Sequence, residues 1–131
     1  MRMHNAATSA ARARRGRAAW LSGLSAEQTV EREYMRRGMS VAGKRWRGSR
    51  GEIDLIVRNG DAIVFIEVKK GPDFARAAER ITPRQIKRIR NTAAEFLAGE
   101  PRGLGSDVRF DVALVDGAGR TEILENVFGA M

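Results

Sequence analysis

Asp54, Glu67 and Lys69 are the residues of this 131-residue chain whose types and spacing could do chemistry. Glu67 and Lys69 end the apolar run Ala62–Val68, and Asp54 sits inside a second apolar run just upstream. Two carboxylates are hard oxygen donors of the kind that Mg²⁺ or Mn²⁺ accepts while keeping several waters. Such a cation polarises a phosphodiester and lowers the pKa of a bound water. An ammonium beside it can orient that water or stabilise charge developing on the phosphate. The composition narrows the choice further. The chain has no cysteine, and its one histidine, His4, stands near the amino terminus. Disulfides, cysteine-ligated zinc, Ser-His-Asp and Cys-His catalysis are therefore excluded. Hydrolysis by this chain must use carboxylates, lysine, a hard cation, or a combination of them.

The elements that must position these groups are legible in the pattern. Glu52–Arg58 and Asp61–Lys70 read as two strands joined at Asn59-Gly60, a hairpin dipeptide. Alternate residues of a strand share a face. Ile63, Phe65, Glu67 and Lys69 thus point one way, and Val64, Ile66 and Val68 the other. On the preceding strand Ile53, Leu55 and Val57 share one face, and Glu52, Asp54 and Ile56 the opposite one. With Asn59-Gly60 as the two-residue turn, Arg58 pairs with Asp61. That register sets Asp54 opposite Phe65 and Glu52 opposite Glu67, with Asp54 diagonal to Glu67 on one face. Three carboxylates and a lysine then crowd one patch. Like charges this close raise each other's pKa, and Lys69 offsets only one of them. A cation held by Asp54 and Glu67, with the Val68 carbonyl as an extra ligand, offsets the rest. The competing reading is a solvated polar sheet face, since an isolated Glu-x-Lys is common.

The remaining elements follow from caps and periodicity. Ser25 and Gln28 form a capping box that opens a helix over Ser25–Arg37, with Val30, Tyr34 and Met35 toward the core and Gly38 as its stop. Met39–Arg47 reads as a strand. Gly71–Arg80 reads as a polar loop. Thr82, Pro83 and Gln85 mark a second helix start, with Ile86, Ile89, Ala93 and Phe96/Leu97 on one face. Val108–Val115 alternates as a strand, and Glu122–Val127 reads as a short edge strand. Asp111 alternates with core positions and is read as structural, hydrogen-bonded or paired with an arginine. The predicted order is α-β-β-β-α-β-β, one α/β domain over residues 20–131.

The blocks Gly51-Glu-Ile-Asp-Leu-Ile, Asn59-Gly-Asp, Val64-Phe-Ile-Glu-Val-Lys, Ile81-Thr-Pro-Arg-Gln-Ile and Arg109-Phe-Asp-Val-Ala-Leu-Val resemble the YraN family of bacterial proteins. The resemblance runs from about Gly23 to Phe128. That family is similar in its core to Holliday junction resolvases and other PD-(D/E)XK nucleases. The resemblance implies a restriction-endonuclease-like core, a mixed central sheet flanked by helices with a divalent cation on it. Asp54, Glu67 and Lys69 match the superfamily's acidic pair and lysine. Glu52 matches the family's own glutamate, and Gln85 a polar residue after the core hairpin. Glu27 matches a helical glutamate ahead of the strands, although acids in a first helical turn are also favoured by the helix dipole. The chain departs from the pattern at Lys70-Gly71-Pro72, where Lys-Thr-Arg is usual, and in the short loop to Thr82.

Twenty-four Lys and Arg against 16 Asp and Glu leave a net charge of +8. Such a surplus favours a polyanion, most simply nucleic acid; a basic protein with no such partner is the other reading. Lys44, Arg45, Arg47 and Arg50 surround Trp46 ahead of the acidic strand, and Arg84, Lys87, Arg88 and Arg90 decorate the helix after it. Both groups are candidates to line a groove along a DNA backbone, with a solvated helix face as the alternative. Trp46 could stack on a base, but core or edge packing is the favoured reading. Residues 1–19 hold five arginines and no acid; they read as a disordered basic arm that touches phosphates, or as a start with no function. No apolar run reaches the length of a membrane span, so no membrane is expected and the expected location is the cytoplasm.

Three functions compete. The first is a metal-dependent endonuclease on branched or structured DNA, for which cutting two strands would, by analogy, call for a homodimer. The second is a non-catalytic nucleic-acid-binding protein that keeps the nuclease fold. The third is an interaction domain whose basic surface meets an acidic protein. The intact acidic pair and lysine favour the first.

Overall fold

A single sheet carries the site, and its order follows the chain. The computed structural model describes residues 2–127; Met1 and the last residue of the family resemblance, Phe128, lie outside them. The elements are α1 (Arg2–Arg36), β1 (Ser40–Arg47), β2 (Glu52–Asn59), β3 (Ala62–Lys70), α2 (Phe74–Ala78), α3 (Pro83–Leu97), a 3₁₀ turn (Gly103–Gly105), β4 (Val108–Val115) and β5 (Thr121–Leu124). The five strands form one mixed sheet in the order β1-β2-β3-β4-β5. β3 and β4 are parallel and the other neighbours antiparallel. The parallel step requires a crossover, which α2 and α3 supply. Among the described residues no helix is long and apolar enough to cross a membrane.

The expected α-β-β-β-α-β-β order is present with one addition. The stretch read as a polar loop contains α2, capped by Asp73, whose carboxylate accepts from the Arg76 N–H at 2.8 Å. Its phenylalanine and alanines pack on β4 through the fully buried Ala77, a helical face too short to show as periodicity. Gly71 makes this possible: a Cβ there would lie 2.7 Å from the Ala77 backbone nitrogen. Backbone cannot swing aside, so Gly71→Ala is expected to cost about 1–3 kcal/mol in urea denaturation.

α1 also differs from expectation. It is continuous over Arg2–Arg36 and passes through Ser25, so Ser25 and Gln28 do not cap it and the basic leader forms its first turns. Alanine and arginine are strong helix formers, and although Gly16 and Gly23 weaken the stretch, no proline interrupts it before Ser25. Ala26, Val30 and Tyr34, spaced four apart, are buried, whereas Met35 is 55% exposed; it stands one residue, about 100°, off that stripe.

The sheet is covered on both faces. Against α1 lie Leu55, Val57, Val64, Ile66, Ala113 and Val115. Against α3 lie Ile53, Ile56, Ile63, Phe65 and Phe110, which meet Ile89, Ala93 and Leu97. Helix α3 is capped as expected: Thr82 and Gln85 satisfy each other's backbone N–H groups, and Pro83 stands in the first turn. Trp46 is a packing residue, edge-on to Phe96 with ring centroids 5.4 Å apart.

Two departures in β1–β2–β3 shape the site. Asn59 pairs with Ala62, so the turn residues are Gly60 and Asp61, and the left-handed φ of 62° falls on Gly60. The shift by two residues leaves every face unchanged. It moves the expected neighbours, however: Leu55 pairs with Ile66, and one step further Asp54 meets Glu67 rather than Phe65. The second departure is a kink. Leu55 and Val57 face α1 as their spacing demands, but Ile53 joins Ile56 against α3. Between the pairs Lys44↔Leu55 and Trp46↔Ile53 stand Arg45 and Asp54. Arg45 has φ 48°, a conformation unfavourable for a residue with a Cβ; the register holds across it, and the bulge of β1 lies at Val41/Gly43 instead.

Candidate functional site

The kink places Asp54 where β2 and β3 part. Its Oδ2 accepts the Val68 N–H at 2.8 Å, a side chain standing in for a ladder bond. Its carboxyl adjoins that of Glu67, and Lys69 Nζ lies 3.1 Å from Glu67 Oε1, both side chains being 13% exposed. The three expected residues are thus brought together. Val68 contributes through its N–H, which touches Asp54; this contact was not foreseen.

The electrostatics are those of an under-compensated acidic pair. Burial pushes the Asp54 carboxyl up to about 7, and the negative charge of Glu67 adds to the rise. Burial raises Glu67 too, against the pull of Lys69. Two adjoining carboxylates beside a single ammonium favour uptake of a proton or of a further cation.

Asp54 opens to both sides of the sheet. On the α3 side, Gly51, Glu52, Asp54, Glu67, Gln85 and Arg88 line a cavity of about 280 Å³. On the α1 side, Glu27, Glu31, Lys44, Arg45 and Asp54 line another of about 230 Å³. Glu52 therefore shares the first cavity, but its carboxylate turns to Arg47 at 3.3 Å. Gln85 Oε1 is occupied by the Thr82 N–H, which leaves its amide NH₂ group for the cavity. Glu27 is near Asp54 and adds to its rise, yet it is tied to Arg45 at 2.9 Å.

The expected patch of three carboxylates is not assembled: among the described residues, no three His, Cys, Asp or Glu side chains converge on one point. The shifted register moves Glu52 from its expected place opposite Glu67, and its carboxylate pairs with Arg47. What remains fits a hard divalent cation of the Mg²⁺ type. Such an ion takes one or two carboxylates and fills its other positions with water or phosphate.

The basic residues divide into two sets. Lys44 pairs with Glu31 at 3.2 Å, Arg45 with Glu27 and Arg47 with Glu52. Arg50, Arg84, Lys87 and Arg88 are exposed. The Lys44 and Arg45 partners were missed, although Glu27 and Glu31 are four apart and so share a helix face. Glu95 was missed as well; its carboxylate accepts from the Ser49 N–H and hydroxyl and fastens the β1–β2 turn to α3.

Residues 26–115 match the model of a family described as "Uncharacterised protein family UPF0102". A UPF0102 protein of Ruegeria pomeroyi is 58% identical over 117 residues, covering 89% of this chain and 95% of the relative. One from Cereibacter sphaeroides is 55% identical over 115 residues, covering 88% and 98%. One from Dinoroseobacter shibae is 51% identical over 117 residues, covering 89% and 87%. The matched span takes in the kinked hairpin, the acidic pair with its lysine and the whole of α3, and on it the chain belongs to the UPF0102 family.

Proposed function

We propose that this protein is a metal-dependent endonuclease of the PD-(D/E)XK type that hydrolyses phosphodiester bonds in DNA, branched or structured DNA in particular. The observation that carries the reading is the half-buried, adjoining Asp54–Glu67 pair, flanked by Lys69 and opening to a cavity rimmed by Arg88. Asp54 and Glu67 would hold Mg²⁺ or Mn²⁺, which supplies Lewis acidity and an acidified water. The protein's own groups do the rest. Glu67 fixes the Lys69 ammonium beside the acidic pair, where it would orient a water or meet charge developing on the phosphate. The Val68 N–H holds the Asp54 carboxylate in its rotamer. Arg50, Arg84 and Lys87 offer exposed positive charge for the phosphate backbone.

The alternative, a nucleic-acid-binding protein without turnover, draws support from Glu27 and Glu52 being committed to arginines. One experiment separates the two. Duplex, flap, fork and four-way-junction DNAs are incubated with the protein and Mg²⁺ or Mn²⁺, alongside Lys69→Ala. Cleavage that needs the cation and drops about a hundredfold in Lys69→Ala is the expected result. Cleavage that survives this change unreduced comes from another nuclease. Salt-sensitive binding to every substrate with no cleavage supports the alternative, and no binding even at low ionic strength removes both readings.

A further inference from the structure

We infer that Arg88 is the residue that grips the phosphate at this site, and that Gly51 exists to seat it. The inference rests on the nuclease reading and adds to it the group that recognises the substrate's non-bridging oxygens. Arg88 lines the same cavity as Asp54 and Glu67. Its charge reaches Glu67, yet among the described residues no carboxylate lies within ion-pair distance of it. In this respect it differs from Lys44, Arg45 and Arg47, each of which a carboxylate already holds.

Its position is built rather than incidental. A Cβ on Gly51 would lie 2.6 Å from Arg88 Cγ and 2.7 Å from Cδ. The aliphatic stem therefore crosses directly over the Gly51 backbone, a path open only where residue 51 has no side chain. Both partners of this contact are fixed. The turn before Gly51 is fastened to α3 through Glu95 and closed by the Gly48 N–H to the Gly51 carbonyl at 2.8 Å. The α3 backbone at Arg88 is held by the buried Thr92, whose hydroxyl donates to the Arg88 carbonyl at 2.8 Å. The Gly51 backbone thus sets the path along which the Arg88 head group enters the cavity. A guanidinium presents a planar fork of donors that matches two phosphate oxygens, which an ammonium does not. The ligand class is a phosphodiester or phosphate monoester bound beside the cation.

The test reads binding of thymidine 5′-monophosphate in Mg²⁺ by calorimetry, and Mn²⁺ uptake without nucleotide by electron paramagnetic resonance. Arg88→Ala is expected to weaken the nucleotide roughly ten- to hundredfold, with Mn²⁺ affinity held within about twofold. Arg88→Lys should recover only part of the loss. Gly51→Ala should weaken the nucleotide in the same direction, because it displaces the stem while leaving the guanidinium in the sequence. Arg88 lies on the surface, so its variants report even where Gly51→Ala folds poorly. Nucleotide binding unchanged in Arg88→Ala, or absent from the wild type despite Mn²⁺ uptake, overturns the assignment and leaves the cation site standing. Tighter Mn²⁺ with unchanged nucleotide would reduce Arg88 to a neutraliser of Glu67. Absence of Mn²⁺ uptake by the wild type removes the nuclease reading and this inference with it.

Discussion

Asp54→Asn is expected to make the metal-free protein more stable at pH 8, by about 2–4 kcal/mol, while abolishing its response to Mn²⁺. The sign follows from linkage. The Asp54 carboxyl has its pKa raised from the ordinary 3.8 to about 7 in the fold. Below pH 4 it is protonated in both folded and unfolded chains and costs nothing. Between pH 4 and 7 the unfolded chain gives up the proton and the folded one keeps it, so stability falls as pH rises. Above pH 7 the whole penalty is present. One pKa unit corresponds to about 1.4 kcal/mol, and water reaching this half-buried group trims the full difference to the range given. Asparagine keeps an oxygen for the Val68 N–H and carries no charge. Thermal melts of the wild type should therefore decline from pH 5 to pH 8, and those of Asp54→Asn should decline less. Mn²⁺ should restore the wild type at pH 8 by mass action. A variant less stable than the wild type at pH 8, or one that Mn²⁺ still stabilises equally, would refute the assignment of Asp54.

How much of this site could be read in advance depends on what kind of interaction fixes each residue. Glu67 and Lys69 were placed correctly because strand periodicity is a property of the backbone, and a long apolar run states it without ambiguity. Asp54 was placed on the right strand with the wrong neighbour. The dipeptide Asn59-Gly60 signals a turn, but the left-handed residue that centres it is Gly60 followed by Asp61, and turn identity sets register. The left-handed Arg45 opposite the kink left no mark on the sequence at all. A non-glycine residue at φ 48° is set by tertiary surroundings, and no local rule anticipates it. The same holds for the ion pairs that engage Glu27 and Glu52. Charge patterning marks lysines and arginines as available, and only the fold decides which ones carboxylates have already claimed. Helix α3 lies at the opposite extreme: capping box, proline and apolar stripe were all local, and all appear where expected. The family resemblance supplied Glu27 and Gln85, and both do border a cavity shared with Asp54, each engaged by another partner.

Asp111→Ala should cost about 3–5 kcal/mol, a large part of the stability of a domain this size. Asp111 is fully buried on the sheet face that meets α1. Its carboxylate accepts the Tyr34 hydroxyl at 2.8 Å, Arg109 Nε and Nη2 at 2.9 Å each, and the Asn126 N–H at 3.0 Å. Four donors from three parts of the chain depend on one acceptor. Removing it leaves the Tyr34 hydroxyl sealed in the core, since Tyr34 is also fully buried, and leaves the Arg109 charge, at 23% exposure, with only the distant Glu125 carboxylate at 3.9 Å. Leaving such groups unpaired costs more than the bonds themselves contributed. Asp111→Asn retains acceptor oxygen but loses the charge, so it should fall between. Tyr34→Phe removes one donor together with its need for a partner and should cost about 1–2 kcal/mol. Urea denaturation at pH 7 should rank the losses as alanine, then asparagine, then phenylalanine; an alanine variant within 1 kcal/mol of wild type would contradict the network's role. The consequence reaches the site, because Tyr34 anchors the helix that carries Glu27 and Glu31. Loosening α1 should free Lys44 and Arg45 from their carboxylates, so the functional effect of Asp111→Ala follows from helix position rather than from any contact with substrate.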